Sequence, residues 1–597
     1  MPVEPVELLK LIIGLVILAI PGYLWSYLFS KQITHLERSL FGLCCTLAFF
    51  TITCFALNSL FQIKITQTMV WLLYAFYLIP ILILFFYLIG IRRWQVPKIP
   101  RGFLKNTTTI LLLVILCFCF VMMFLPHLQN NYYLPFHVDE WIHYSYTRGL
   151  IEQGTTTFIN PYTGSGIVTL PEKGFHLTTA CIHWISTSNL TTIFLFMPAL
   201  IGVLLSLTAF IIGQRSPRRF GLEAAFLVAF IPTTVRFLGP SFYVASTLGL
   251  LLLLFIIWLA QVKQLRSILL IPIFVFYLFL VHPSIVLAAI GILLVYAVFL
   301  LIEKDYRVGL IIAGLTVLPI ILVVLFTSQW NGIIDLFLAS VSGQQYQLDY
   351  NLPKILVSFT DLGLLTWGLL IVGVYVAFIK GTALLRTLSI SAIAFIIVIG
   401  LYDKFGYGVP YVYERLFLVL FLVVTLIAGF GLSEIRRALT DMKQNERFVA
   451  IKKKIQHIDI LVPIILCIVI FIIAVPAHLN TSYYKMITEQ DYETFSWIHE
   501  HIGEYPDANH SYSRAAVDPF KASPFTAVTG LYIISSSMNP PCGYELHETI
   551  ETFLHDKCMN TSFLDTCQIS VVYGDVENTN LTKIHDQVYL YPGLTEL

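Results

Sequence analysis

Residues 134–160 read LPFHVDEWIHYSYTRGLIEQGTTTFIN and stand between two long apolar runs. The stretch gathers two adjacent acids, Asp139 and Glu140, with histidines, tyrosines and an arginine. Ionisable groups next to hydrocarbon are costly unless they reach water, a partner or a function. Apolar residues recur at helical spacing up to Gln153, and Gly154 is placed to end that helix. The stretch therefore predicts a polar helix at the surface of a membrane-embedded chain, with both acids at its start.

Composition places the whole chain in a membrane. Of its 597 residues, 57% are hydrophobic and only 12% are charged, and the mean hydropathy is +0.80. A soluble chain of this length has a larger share of charged and polar residues, so we predict a polytopic α-helical membrane protein. The net charge of +1 gives no electrostatic basis for nucleic-acid binding. The first apolar run lacks the basic segment and small-residue cleavage site of a signal peptide, which predicts a membrane span there.

Apolar runs of about 20 residues, the length that crosses a bilayer, recur along the chain. His282-Pro283 divides two of these runs, and we expect it to form a turn or cap a helix. We predict about 14 spans, over residues 8–29, 39–60, 68–91, 107–126, 190–213, 219–237, 241–261, 267–282, 283–302, 308–328, 362–380, 385–401, 411–434 and 459–478.

Basic residues in the connections orient these spans, because cytoplasmic loops carry an excess of Lys and Arg. With that number of spans, every basic cluster falls on one face of the membrane, near residues 92–105, 215–219, 263–266, 304–307, 380–386 and 436–454. The 127–189, 329–361 and 402–410 loops and the tail from 479 fall on the other face. We therefore expect the acids of the 127–189 loop to be extracytoplasmic.

The tail, residues 479–597, is more polar and alternates helical with β-branched patterns. Residues 491–505 and 545–556 predict helices, and short runs at 532–536, 569–573 and 587–591 predict strands. We predict a small extracytoplasmic α/β domain.

Four of the ten cysteines lie outside the apolar runs, and the chain has no CxxC pair that would indicate a zinc ribbon. If the outer side is oxidising, these four could form disulfides, but their pairing is open: Cys181, Cys542, Cys558 and Cys567.

Asp139 and Glu140 allow a catalytic and a structural interpretation. Glycosyl transfer needs a carboxylate to deprotonate or orient the acceptor, and cations to neutralise a leaving phosphate. Asp139 would be that base, and Glu140 its neighbour or a substrate-orienting acid. Alternatively, Asp139 caps the helix and both acids form a solvated helix start.

A metal site is a further alternative. His143 follows Asp139 by four residues, so His137, Asp139, Glu140 and His143 could act as ligands on one helix face. That spacing is common and no HExxH motif is present, so divalent metal is possible but not favoured. We predict no metal and no cofactor.

The loop resembles the first outer loop of the GT-C superfamily of polytopic glycosyltransferases, which use polyprenyl-phosphate-linked sugars. The resemblance rests on span 107–126, then HVDEWIHYSYTRGLIEQG, Asn160-Pro161, and EKGFH before the next span. Protein O-mannosyltransferases carry an Asp-Glu pair there, and aminoarabinose transferases a lysine before the following helix. The resemblance implies catalytic roles for Asp139 and Glu140 and a phosphate contact for Lys173.

The same resemblance divides the chain into an N-terminal addition, residues 1–106, a GT-C-like transmembrane core, residues 107–478, and the outer domain. The tail resembles the outer domain of archaeal members, which implies an archaeal-type cell membrane.

Two departures from the patterns of GT-C enzymes narrow the range of expected activities. The chain lacks the Trp-Trp-Asp motif of oligosaccharyltransferases, so we do not expect oligosaccharide transfer to Asn. Residues 239–246, GPSFYVAS, contain no acid, which favours metal-independent chemistry.

Arg415, in GYGVPYVYERLFL (406–418), lies at the outer end of a predicted span. Its forked donors suit phosphate, and GT-C members commonly have an arginine near this point, so the resemblance implies a contact with the donor. Alternatively, it pairs with Glu414 or reaches the headgroups. The other candidate substrate contacts are His143, His176, Arg148 and Tyr413.

Together these features predict an inverting glycosyltransferase that moves a hexosyl or pentosyl group from a polyprenyl-phosphate donor to an extracytoplasmic lipid, glycan or protein. The alternatives are a membrane transporter and a non-catalytic scaffold that presents the tail. A transporter would place ionisable groups near the midplane of the membrane, whereas the densest cluster here lies outside a span.

Overall fold

The computed structural model describes residues 5–29, 33–90, 106–164, 166–169, 172–233, 238–326, 362–405, 410–444, 458–480, 483, 485–502, 514–534 and 544–591. The predicted 329–361 loop and Cys542 lie outside these ranges.

A helical body accounts for most of the chain, with a small hairpin inserted between its fifth and sixth helices. Its elements are α1 Pro5–Phe29, α2 His35–Phe61, α3 Gln67–Gly90, α4 Thr107–Asn130, α5 Val138–Gln153, β1 Thr157–Ile159, β2 Ile167–Thr169, α6 Lys173–Ser186, α7 Leu190–Arg215, α8 Gly221–Val228, α9 Ala245–Val262, α10 Leu265–Ile268, α11 Ile271–Val281, α12 Pro283–Ile302, α13 Tyr306–Phe326, α14 Leu364–Lys380, α15 Ala383–Phe405, α16 Pro410–Gln444 and α17 Ile458–Leu479.

Within the described part of the chain, nine helices are long and apolar enough to cross a membrane, namely α1, α2, α3, α4, α7, α9, α12, α15 and α16. Shorter apolar helical stretches accompany them at Leu265–Val281, Tyr306–Leu318, Leu364–Lys380 and Leu461–Pro476. These helices lie where the sequence placed apolar runs, and the chain is a multi-pass helical membrane protein. The total of about 14 spans stays a prediction.

The span predicted over 219–237 is not a continuous helix. Among the described residues of this stretch, 219–233, only α8 is helical, and its eight residues rise about 12 Å, too little to cross a bilayer. The first residue of α8, Gly221, packs against Gly213 at one end of the body. Tyr243, further along the chain, lies beside Glu140 at the other end. α8 packs against α7 and α16.

The described basic connections lie together at one end of the body, which we call the basic end. The Gln261 amide donates to the Ile212 carbonyl, so the ends of α7 and α9 meet there. Ion pairs link the other connections at this end: Arg215–Glu37, Arg218–Glu434, Lys263–Asp305, Arg386–Glu303 and Arg436–Glu223.

The opposite end, which we call the polar end, carries α5, the hairpin and the start of α6. The hairpin is antiparallel, with Ile159 opposite Ile167. It is tied to the end of α2 because the Asn58 side-chain oxygen accepts from the Thr156 N–H at 2.9 Å. The Ile65 N–H donates to the Gly154 carbonyl at 2.7 Å and fixes the turn after α5.

The C-terminal region packs on the polar end. Its elements are α18 Glu489–His501, β3 Arg514–Ala516, α19 Ala522–Thr529, β4 Tyr532–Ile533, α20 Tyr544–His555, α21 Thr561–Cys567, β5 Val571–Tyr573, β6 Thr582–His585 and β7 Val588–Leu590. The strands form one sheet in the order β4-β3-β5-β7-β6, with β3 parallel to both neighbours and the remaining pairs antiparallel. Phe495, Phe525 and Tyr573 contact one another in its core.

The described cysteines are free, and Cys181 does not lie near the tail. Its thiol is fully buried and interacts with Cys54 on α2. Helix packing thus holds Cys181 inside the body and apart from Cys558 and Cys567, which belong to a separate apolar cluster. Cys558 and Cys567 lie in the C-terminal region, the first of them buried.

Candidate functional site

The start of α5 is held by a reciprocal cap. His137 has an extended backbone, and its Nδ1 accepts from the Asp139 N–H at 3.1 Å. Glu140 Oε2 accepts from the N–H groups of Phe136 and His137 at 3.0 and 3.1 Å. The sequence HVDE thus satisfies the first free N–H groups of its own helix, as a capping box does.

Glu140 is buried, with 1% of its surface exposed. Its Oε1 accepts from the Tyr243 N–H at 2.9 Å, so the carboxylate receives three backbone donors in all. Burial raises the pKa of this carboxyl to about 7, although the N–H groups act in the opposite direction. Glu140 therefore fastens the start of α5 to the segment before α9, and its assistance to Asp139 stays a prediction.

Asp139 differs from its neighbour in exposure. Its side chain is 26% exposed, and its Oδ1 lies 3.9 Å from His137 Nδ1. His143, one helical turn further on, lies close enough for the charge of Asp139 to raise its pKa. Of the two adjacent acids, Asp139 is the one with a carboxylate open to an incoming group.

His143 and His176 join α5 to α6 through a line of polar atoms. His143 Nδ1 lies 3.4 Å from His176 Nε2, and His176 Nδ1 lies 2.9 Å from the Thr147 hydroxyl. Burial lowers the pKa of His143 to about 4 and that of His176 well below its usual range. Both rings are therefore neutral near neutral pH, and each carries a single N–H.

Arg415 approaches the same ring from α16. It is buried, with 9% of its surface exposed, and its positive charge lowers the pKa of His143. The charges of an acid on α5 and of an arginine on α16 thus both act on one imidazole. Tyr413 lies in the first turn of α16, and its side chain is outside the described part of the chain.

Glu172 and His282 complete this cluster. Glu172 was not predicted as a site residue, and for His282 a donor-binding role was the less favoured alternative to a turn or a cap. Glu172 Oε2 lies 3.6 Å from His143 Nε2, and its Oε1 lies 3.8 Å from His282 Nε2. His282 ends α11 and precedes α12, which agrees with the predicted turn between two helices. The available signals were an acid in EKGFH before α6 and a His-Pro break in apolar sequence.

Lys173 is the first residue of α6, and its Nζ lies 5.6 Å from the centre of the Phe55 ring. Partial burial lowers its pKa. A cation at a helix N-terminus opposes the helix dipole, and a bound anion would offset that cost. Its predicted phosphate contact stays a prediction.

Arg148, a predicted substrate contact, is used to hold the C-terminal region. Its guanidinium donates to the Ala527 and Val528 carbonyls at 2.9 and 2.5 Å and to Glu152 at 2.6 Å. The two carbonyls belong to the last turn of α19, where a cation is favoured by the helix dipole. The structure thus gives Arg148 a role in docking two parts of the chain.

Among the residues that the structure describes, no group of three or more His, Cys, Asp or Glu side chains is arranged to hold a metal ion. The set suggested by the sequence is divided, because Glu140 faces backbone donors while Asp139 and His143 face the cluster.

Two solved structures of an archaeal oligosaccharyltransferase, from Archaeoglobus fulgidus, share this fold. The apo form matches with a TM-score of 0.53 at 12% identity, over 79% of this chain and 70% of that chain. The form tethered through a disulfide to an acceptor peptide containing the NVT sequon matches with a TM-score of 0.51 at 13% identity, over 79% and 69%. No family model matches the chain, and no curated protein matches it. The chain therefore has a GT-C-type fold, and its closer likeness to O-mannosyltransferases or aminoarabinose transferases stays a prediction.

Proposed function

We propose that this protein is a membrane glycosyltransferase that takes a sugar from a polyprenyl-phosphate donor and transfers it to an extracytoplasmic acceptor. The observation that carries the proposal is that an open carboxylate, Asp139, and a buried arginine, Arg415, both lie within electrostatic range of His143, at the polar end of a GT-C-type fold. A base and a phosphate-binding cation are the two groups that such a transfer needs.

The chemistry follows from these two side chains. Asp139 accepts the proton of the acceptor nucleophile as that atom attacks the anomeric carbon. The bond from this carbon to the phosphate oxygen breaks, and the lipid phosphate leaves with its charge facing Arg415. Direct displacement of this kind inverts the anomeric carbon.

The donor class follows from the resemblance of the 127–189 loop to GT-C enzymes, whereas several classes of acceptor remain in the proposal. One of the similar structures holds an acceptor peptide. This chain has no Trp-Trp pair, so the proposal keeps lipid, glycan and protein acceptors and does not extend to oligosaccharide transfer to Asn.

The test is a transfer assay with purified protein and radiolabelled polyprenyl-phosphate monosaccharides. Asp139→Asn should lower the transfer rate by about 100-fold or more, the usual contribution of a general base. Asp305→Asn, which alters an aspartate at the basic end, is the matched control and should transfer at the wild-type rate.

Full activity of Asp139→Asn would remove Asp139 from the mechanism. If wild-type protein transferred none of the sugars offered, the result would favour a scaffold over an enzyme.

A further inference from the structure

Among the described carboxylates of the helical body, only that of Glu172 lies between two imidazoles from different parts of the fold. Its Oε2 lies 3.6 Å from His143 on α5, and its Oε1 lies 3.8 Å from His282 in the break between α11 and α12. Glu172 itself precedes α6, and its side chain is 12% exposed. One carboxylate thus links three elements around the ring on which Asp139 and Arg415 converge.

The local sequence gives Glu172 no helix-capping role. It is the N-cap residue of α6, but its side chain makes no hydrogen bond to the N–H groups of that helix. Its carboxylate is instead turned toward the two histidines. Gly174 permits this arrangement, because any other residue would place its Cβ only 2.7 Å from the Leu280 carbonyl carbon. The close approach sets the start of α6 against the end of α11, next to His282.

The negative charge of Glu172 favours one direction of the polar line between α5 and α6. His143 Nε2 lies 3.6 Å from the carboxylate, which can only accept, so the ring is more stable with its proton on Nε2. Its Nδ1 then accepts from His176 Nε2–H, and His176 Nδ1 accepts from the Thr147 hydroxyl. The opposite order would point an imidazole lone pair at a carboxylate, which is repulsive. Glu172 therefore determines which nitrogen of each neutral ring carries the proton.

We propose that Glu172, and not Glu140, is the second acid of the site: a positioning residue that fixes the tautomer of His143. The proposal deepens the proposed function and rests on it. By holding His143 and His282 together, Glu172 keeps the start of α5, with Asp139, in register with Arg415. Glu140 holds the same helix only through backbone donors and is not needed for the tautomer.

The first test does not depend on catalysis. Protein labelled with ¹⁵N-histidine is examined by solid-state NMR, with His143 assigned by comparison with His143→Gln. In the wild type, His143 should be a single tautomer protonated at Nε2, and in Glu172→Ala it should be a mixture of both tautomers. Glu140→Gln is the matched control and should keep the wild-type tautomer. A wild-type ring protonated at Nδ1, or an unchanged ring in Glu172→Ala, would overturn the proposal.

The second test uses the transfer assay. Glu172→Gln should lower kcat by about 100-fold, the usual effect of a small misplacement of reacting groups, with little change in KM. Glu172→Asp keeps the acceptor and should recover part of the loss. A wild-type kcat in Glu172→Gln contradicts the proposal. If the wild type itself shows no transfer, the proposed function fails, and the NMR result still decides the role of Glu172.

Discussion

The two ends of the helical body hold their carboxylates in different ways. At the basic end, acids lie at ion-pair distance from Lys or Arg, as in Lys263–Asp305 at 3.0 Å and Arg436–Glu223 at 2.8 Å. At the polar end, Glu140 accepts hydrogen bonds from backbone N–H groups, and Glu172 lies between two imidazole rings. The first arrangement joins connections together, and the second positions groups around an open aspartate.

The difference has consequences for stability. Partly exposed ion pairs contribute little, because water already solvates both charges. Buried contacts to N–H groups and neutral rings are costly to lose, since the groups left behind have no water to replace the partner. The polar end should therefore be sensitive to single substitutions and to pH, whereas the basic end should tolerate both.

The largest expected effect is that of Glu140→Ala. Three backbone N–H groups would lose their acceptor in a buried site, which should lower the free energy of unfolding by about 3 kcal/mol or more. Thermal unfolding in detergent measures the change. Glu152→Ala, on the exposed side of the same helix, is the control, with an expected loss below about 1 kcal/mol. Equal unfolding midpoints for the two variants would contradict the structural role of Glu140.

A somewhat smaller effect is expected from acid. Burial lowers the pKa of His143 from 6.5 to about 4, so the unfolded chain binds this proton in a window where the folded chain does not. The stability that His143 contributes should be fully present above about pH 6.5 and fall by about 3 kcal/mol as the pH drops toward 4. The raised pKa of Glu140 acts in the opposite direction over the same range, so the effect of His143 is measured as a difference between two variants.

Unfolding midpoints over this pH range test the prediction, with His143→Gln as the comparison. That variant should lose less stability on acidification than the wild type. Identical slopes would show that His143 does not carry the effect.

The smallest effect should come from the basic end. Lys263→Ala removes one partner of an ion pair whose side chains are 40% and 34% exposed, and it should cost less than about 1 kcal/mol. The cost should shrink further in high salt, which screens such pairs. A loss as large as that of Glu140→Ala would remove the proposed contrast between the two ends.

Sequence periodicity was sufficient for the elements near the site. The helix after His137 and its end at Gly154 both follow from residue spacing and a glycine stop. Composition likewise predicted a multi-pass helical protein.

The separate roles of Asp139 and Glu140 could not be predicted. Adjacent acids look alike in sequence, and the donor that distinguishes them, the Tyr243 N–H, lies 103 residues away. Arg148 reaches carbonyls 379 and 380 residues away, so no local pattern could reveal its docking role. Such long-range contacts depend on how the helices pack.

Short or mixed elements were missed for a different reason. The segment 219–237 is largely apolar and predicts a span, yet among its described residues only α8 is helical. Ala224 of α8 packs closely against Gly429 of α16, a long-range contact that residue spacing does not reveal. In the C-terminal region, β3 has the sequence RAA, which carries no strand pattern. Its strand conformation is supplied by β4 and β5 on either side.

The most direct measurement is an experimental structure of the protein with a polyprenyl phosphate bound. The phosphate should lie within hydrogen-bond distance of the Arg415 guanidinium, with the Asp139 carboxylate facing the same pocket. A headgroup bound elsewhere, or an Asp139 closed off from it, would contradict a transferase site at this end of the molecule.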